Sequence, residues 1–118
     1  MIERLELSAQ HFELNDDFKK YIRKKVGQLD KYVSRKSRGS LHGEVKLGQS
    51  KSKNKADYSC EIVLHLPHRI LTVKESAINM YAAIDIAESK IKIQLTKYKN
   101  LSSRPKIYHR LMRHVKKS

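Results

Sequence analysis

Met80, Ile84, Ala87, Ile91, Leu95 and Tyr98 recur at alternating intervals of four and three. At roughly 100° per residue, that spacing puts all six on one stripe of an α-helix. A helix about five turns long with one apolar stripe is not stable alone in water; it needs a surface that covers the stripe along its length.

The rest of the chain supplies that surface as strands. ADYSCEIVLHL (56–66) sets Tyr58, Cys60, Ile62, Leu64 and Leu66 on one face with a period of two. LHGEVKL (41–47) turns Leu41, Val45 and Leu47 inward and His42, Glu44 and Lys46 outward. IERLELS (2–8) alternates at Leu5 and Leu7, and RILTVK (69–74) follows a tight turn at Pro67-His68-Arg69. GQSKSKNK (48–55) is expected to be a hairpin loop, too polar to pack.

A second helix lies between the first two strands. Asn15 offers an N-cap, and Asp16 and Asp17 suit the positive end of the helix dipole. Phe18, Ile22, Val26, Leu29 and Val33 then form one stripe, and SRKSRGS (34–40) is a polar, basic connection. The long helix is expected to take over from about Ser76.

The expected fold is a single α+β domain in the order β-α-β-β-β-α, a four-stranded mixed sheet with two helices packed on one face. A right-handed crossover makes the first two strands parallel, and short turns make the remainder an antiparallel meander. The other sheet face is left solvated or available for contact. The domain is placed at residues 1–100. A basic tail, 101–118, contains a break at Ser102-Ser103-Arg104-Pro105 and no acidic residue. Ile107, Leu111 and Val115 lie four apart, so a short basic helix and an unstructured tail fit equally.

Charge narrows the function. The 118 residues hold 26 Lys and Arg against 12 Asp and Glu, a formal net charge of +14. Such an excess selects an anionic partner: nucleic acid, an acidic membrane surface or an acidic protein. In the long helix Lys92 has Glu88 four residues before it, but Lys90, Lys97 and Lys99 have no acid three or four residues away. In the first helix Lys19 and Lys20 can lean on Asp16 and Asp17, whereas Arg23, Lys24 and Lys25 have no acid at those offsets. Adjacent like charges cost a few tenths of a kcal/mol each. Phosphate offsets that cost, because neutralising it releases counterions. Each single lysine read alone is an ordinary solvating residue; together they favour RNA or ribosome binding. Most aromatics fall on or beside core stripes (Phe18, Tyr21, Tyr32, Tyr98), so binding should read phosphate and RNA shape rather than bases. A general RNA-binding module or RNA chaperone recognising duplex shape is the alternative.

Other classes find little support. Cys60 is the only cysteine and sits mid-strand, where a buried structural thiol is expected. There is no CxxC or HExxH, and the six histidines do not cluster at ligand spacing. Asp57, Glu61, Asp85 and Glu88 are scattered acids without paired acid–base geometry. No catalytic residue, cofactor, metal or small-molecule substrate is expected. No apolar run could cross a membrane and no signal segment opens the chain, so a reducing cytoplasm is the default. The tail RPKIYHRLMRHVKKS is weakly amphipathic but lacks Trp and a broad apolar face, so no membrane partner is expected.

Two blocks, LELSAQHFELNDDFKKYIRKKVGQLDKY and LTVKESAINMYAAIDIAESKIKIQLTKYK, resemble the ribosome hibernation-promoting factors, also called ribosome-associated inhibitors or light-repressed proteins. The resemblance spans about residues 2–99, and MYAAID followed by K-I-x-x-Q-L-x-K is its more specific part. It implies a non-enzymatic protein that binds the small subunit and the 70S ribosome in the mRNA and tRNA channel, inhibits translation and preserves idle ribosomes in stress or stationary phase. Lys25, Lys90, Lys97 and Lys99 match the family's basic positions toward 16S rRNA. With the cations chosen from charge, the expected rRNA-binding set is Arg23, Lys24, Lys25, Lys90, Lys92, Lys97, Lys99, Arg104 and Lys106, on a protein that is monomeric when free.

Two positions depart from the family pattern: many relatives have arginine where Ile93 stands and an acid where Asn79 stands. Ile86 and Ile93 lie off the core stripe, either as a ridge that receives Ile107 and Leu111 or as two ordinary exposed isoleucines. Long relatives carry a C-terminal domain that dimerises ribosomes. None fits in residues 100–118, which implies a short form or an isolated N-terminal domain.

Overall fold

A computed structural model describes residues 2–52, 55–67 and 69–103. The chain forms β1 (Arg4–Gln10), α1 (Asp16–Lys25), a 3-10 turn (Gly27–Tyr32), a single helical turn α2 (Arg35–Arg38), β2 (His42–Ser52), β3 (Lys55–Leu66), β4 (Arg69–Ala77) and α3 (Met80–Ser103). The sheet order is β1-β2-β3-β4. β1 runs parallel to β2, with Leu5 opposite Gly43 and Leu7 opposite Val45. β2, β3 and β4 form the expected antiparallel meander, Val45 facing Ile62 and Ile62 facing Val73.

One face of the sheet carries the core. Leu41, Val45, Leu47, Cys60, Ile62, Leu64, Leu66, Leu71 and Val73 are buried in one cluster with Ile22, Val26, Leu29 and Val33 and with Met80, Ile84, Ala87, Ile91 and Leu95. Both helical stripes therefore cover the same face. Gly43 leaves room there: a Cβ would meet Leu5 Cδ1 at 2.9 Å and Leu64 Cδ2 at 3.3 Å. His11, with φ of 57°, turns the chain at the end of β1. Phe12 then lies edge-on to Phe18 at 5.0 Å and to Tyr58 at 6.1 Å.

Several boundaries differ from the sequence reading. β1 covers residues 4–10 rather than 2–8, and Ile2 is buried just ahead of it, its N–H donating to Gly27 O at 2.9 Å. α1 stops at Lys25; the stripe continues through the 3-10 turn, where Leu29 remains buried. Gly27, a weak helix former, sits at that junction with its carbonyl held by Ile2.

Most of the expected loop 48–55 is strand, with residues 53 and 54 outside the described residues: Gly48 pairs with Ser59 and Ser50 with Asp57. Ladder hydrogen bonds use the backbone and do not need apolar side chains. α3 starts at Met80, not near Ser76, because Ser76 and Ala77 still pair with Ser59 and Tyr58. Asn79 caps α3, its side-chain oxygen accepting from Ala82 N at 2.8 Å, as Asn15 caps α1 by accepting from Phe18 N at 2.9 Å. At its far end α3 runs to Ser103, past the expected limit of the domain. The expectations for Arg104, Lys106, Ile107, Leu111 and Val115 lie outside the described residues.

Candidate nucleic-acid interface

α1 and α3 present their unburied sides on the covered face of the sheet. On α1, Ile22 points into the core. At about 100° per residue, Tyr21 and Lys25 fall to one side of it and Arg23 to the other, with Lys24 near the outer crest. Tyr21 and Lys25 take the side toward α3: Tyr21 Oη donates a short hydrogen bond to Asp85, and Lys25 Nζ is 3.8 Å from the same carboxylate. Burial, followed by that bond, pushes the Tyr21 hydroxyl up to about 12.

The two flanks of α3 differ. Toward α1 lie Asp85, Glu88 and Lys92, with Lys92 Nζ 3.9 Å from Glu88, the helix pair that the sequence predicts. Toward β4 lies Lys90, whose Nζ is 2.5 Å from Glu75. Ile86 and Ile93 are 39% and 57% exposed on α3. By helical spacing they share the Lys90 flank with Lys97.

Between α1, the 3-10 turn and α3 is a cleft of about 180 Å³, lined by Lys24, Lys25, Gln28, Lys31, Tyr32 and Lys92, with Leu29 and Glu88 completing it. Lys31 and Lys92 both approach the Tyr32 ring, at 5.5 Å and 5.8 Å from its centroid.

On the opposite sheet face Glu6, Glu44 and Glu61 each lie beside a base. Glu44 accepts a 3.0 Å hydrogen bond from His65, which holds its carboxyl below the ordinary value. Glu6 lies 3.6 Å from His42, and Glu61 3.8 Å from Lys46. The His42 and His65 rings stack at 5.0 Å. On the helical side, by contrast, Arg23, Lys24 and Lys97 make no ion pair with a described residue.

The expected site residues thus divide. Lys24, Lys25 and Lys92 come together at the cleft, Lys90 and Lys97 lie on the other flank of α3, and Arg23 lies on the far side of α1. The lack of local acids does not leave Lys25 and Lys90 alone: Asp85 and Glu75 reach them across the fold. Lys19 and Lys20 make no ion pair with Asp16 or Asp17. Gln28, Lys31 and Tyr32 were absent from the expected set. A lysine next to a tyrosine in LDKY is the available signal, masked because Tyr32 reads as an aromatic on or beside the core stripe, which it does pack against. Burial pushes the Cys60 thiol up to about 12, the setting of an inert structural cysteine. Among the described residues no group of three or more His, Cys, Asp and Glu could hold a metal, and no helix is long and apolar enough to cross a membrane.

Residues 5–101 match the model of a family described as sigma 54 modulation protein / S30EA ribosomal protein. The ribosome hibernation promotion factor of Staphylococcus aureus (strain COL) is 29% identical over 101 residues, covering 86% of this chain and 50% of its own. The chain therefore spans about half the length of that curated relative. The solved N-terminal domain of Thermus thermophilus Protein Y is similar at a TM-score of 0.66 and 27% identity, over 79% of this chain and 94% of that one. A ribosomal subunit interface protein from Coxiella burnetii reaches the same TM-score, 0.66, over 82% of this chain and 98% of its own, at 17% identity, and supports the fold alone.

Proposed function

The chain belongs to the sigma 54 modulation protein / S30EA ribosomal protein family, and we propose that it is a non-enzymatic ribosome hibernation factor that docks its helical face on 16S rRNA. The observation that carries this reading is the contrast between its two faces. On the sheet face Glu6, Glu44 and Glu61 lie beside His42, His65 and Lys46, and Arg4 and Lys74 make no ion pair; the helical face keeps more such cations, Arg23, Lys24, Lys31 and Lys97, among the described residues. Uncompensated cations gain most from phosphates, which release counterions when neutralised.

In this mechanism the protein works by steric exclusion. Arg23, Lys24, Lys25, Lys90, Lys92, Lys97 and Lys99, with Arg104 and Lys106 beyond the described residues, hold rRNA phosphates. The folded body then fills the mRNA and tRNA channel of the small subunit, so the ribosome is idle and preserved under stress. Lys25 and Lys90 exchange Asp85 and Glu75 for phosphate, or share them, so they contribute less than Lys24 and Lys97. The protein acts as a cytoplasmic monomer without a small-molecule substrate or cofactor. The name of the Staphylococcus aureus relative supports the hibernation role.

Co-sedimentation with small subunits and vacant 70S ribosomes tests this reading. Binding should saturate near one protein per ribosome and be lost when mRNA and initiator tRNA are added. Unsaturable binding, indifferent to those competitors and matched by bulk duplex RNA, would instead identify a general RNA-binding protein.

A further inference from the structure

The cleft between α1, the 3-10 turn and α3 places more positive charge in one spot than its own acids can offset. Lys24, Lys25, Lys31 and Lys92 line it with one carboxylate, Glu88. Glu88 lies 3.9 Å from Lys92 and Asp85 lies 3.8 Å from Lys25, both beyond hydrogen-bond length. Lys24 and Lys31 have no carboxylate partner among the described residues. Lys31 and Lys92 both approach one ring, Tyr32, the first from the 3-10 turn and the second from α3. The ring attracts each ammonium, but the two ammoniums repel each other. A multiply charged oxyanion between them would turn that repulsion into two charge-assisted contacts.

We propose that this cleft is a discrete phosphate seat, in which Lys24, Lys31 and Lys92 hold one phosphate group over the buried side chain of Leu29, with Tyr32 fixing the lysines and Gln28 offering a neutral donor. The seat deepens the ribosome-binding reading and rests on it only for the source of the phosphate. Its volume of about 180 Å³ falls below the ~300 Å³ at which pockets enclose drug-sized molecules. It therefore takes a phosphate, either from an RNA backbone or from a free polyphosphate, and leaves any attached base outside. A single planar carboxylate is a poorer occupant: Glu88 is already there and reaches only Lys92.

Amide NMR of the full chain tests the seat. Sodium pyrophosphate, and separately a short single-stranded RNA, are titrated at constant ionic strength. The expected result is saturable shifts centred on Gln28, Lys31, Tyr32 and Lys92. The double variant Lys31→Gln with Lys92→Gln should weaken pyrophosphate by about tenfold or more, while Lys46→Gln on the sheet face leaves it unchanged. Displacement of the RNA-induced shifts by pyrophosphate assigns the seat to a backbone phosphate. Saturable pyrophosphate binding without RNA shifts at these residues assigns it to free polyphosphate. Shifts that are unsaturable, spread over all exposed lysines, unaffected by the double variant, or reproduced as strongly by polyglutamate would overturn the proposal. A melting temperature for the double variant confirms that it is folded. Retained pyrophosphate binding with no co-sedimentation on ribosomes would leave the seat standing and count against the ribosome reading.

Discussion

Single residues show what a linear sequence can and cannot say about charge. Local spacing identified the Glu88–Lys92 pair, because helix neighbours are set by a fixed angle. It could not find the partners of Lys25 and Lys90, which arrive from 60 and 15 residues away only after the sheet and helices are packed. The same packing makes the Tyr21–Asp85 bond and buries Cys60. Both groups are raised to about 12 in the folded protein, whereas unfolded thiols and phenols ionise near ~8.5 and ~10. Their stabilisation is complete below those unfolded values and is lost as pH climbs toward 12. The denaturation midpoint should therefore fall on the alkaline side, and Cys60→Ala should flatten part of that fall. Native Cys60 should also resist a thiol reagent at mildly alkaline pH and react on unfolding. Glu44 works in the opposite sense. Its pKa is lowered chiefly by the His65 hydrogen bond, so its contribution is present above the ordinary carboxylate value and disappears as pH falls through the lower folded one. Glu44→Gln should make the acid limb of a stability–pH curve shallower.

At the level of elements, periodicity located every major strand and both long helices, and missed mainly their ends. Side-chain pattern marks where an element meets the core; it is silent where the element runs into solvent. That is why the paired residues from Gly48 to Ser52 read as loop. The start of α3 was lost for another reason: its cap is one side chain. Asn79 accepts from Ala82 N, and an aspartate at this position would accept in the same way. Asn79→Ala should cost about 1 kcal/mol, and Asn79→Asp should retain most of it, by chemical denaturation. Ile93 is 57% exposed on α3. Ile93→Arg should change stability by no more than about 0.5 kcal/mol, while adding a cation beside Lys90 and Lys97 and tightening binding to small subunits. A large loss of stability would mean that something packs on Ile93.

For the whole molecule, the connection order and the single core face were legible because a parallel pair needs a crossover and two one-striped helices need a common sheet. The candidate interface is legible in the sequence only as an excess of charge. Which cations share a surface depends on how α1, the 3-10 turn and α3 meet, and that meeting adds Lys31 and Tyr32 to the cleft while sending Lys90 and Lys97 to another flank. The proposed binding is therefore oriented, a claim stronger than attraction between a basic protein and RNA. Each phosphate contact removed should reduce the slope of log affinity against log salt by roughly one. The most direct test compares two variants of equal charge change by saturation co-sedimentation on small subunits: Lys24→Glu with Lys97→Glu on the helical face, and Lys46→Glu with Lys74→Glu on the sheet face. The helical pair should lose most of its affinity while the sheet pair stays near the parent protein. Equal losses from both pairs would contradict an oriented helical interface and leave only the net charge to explain binding.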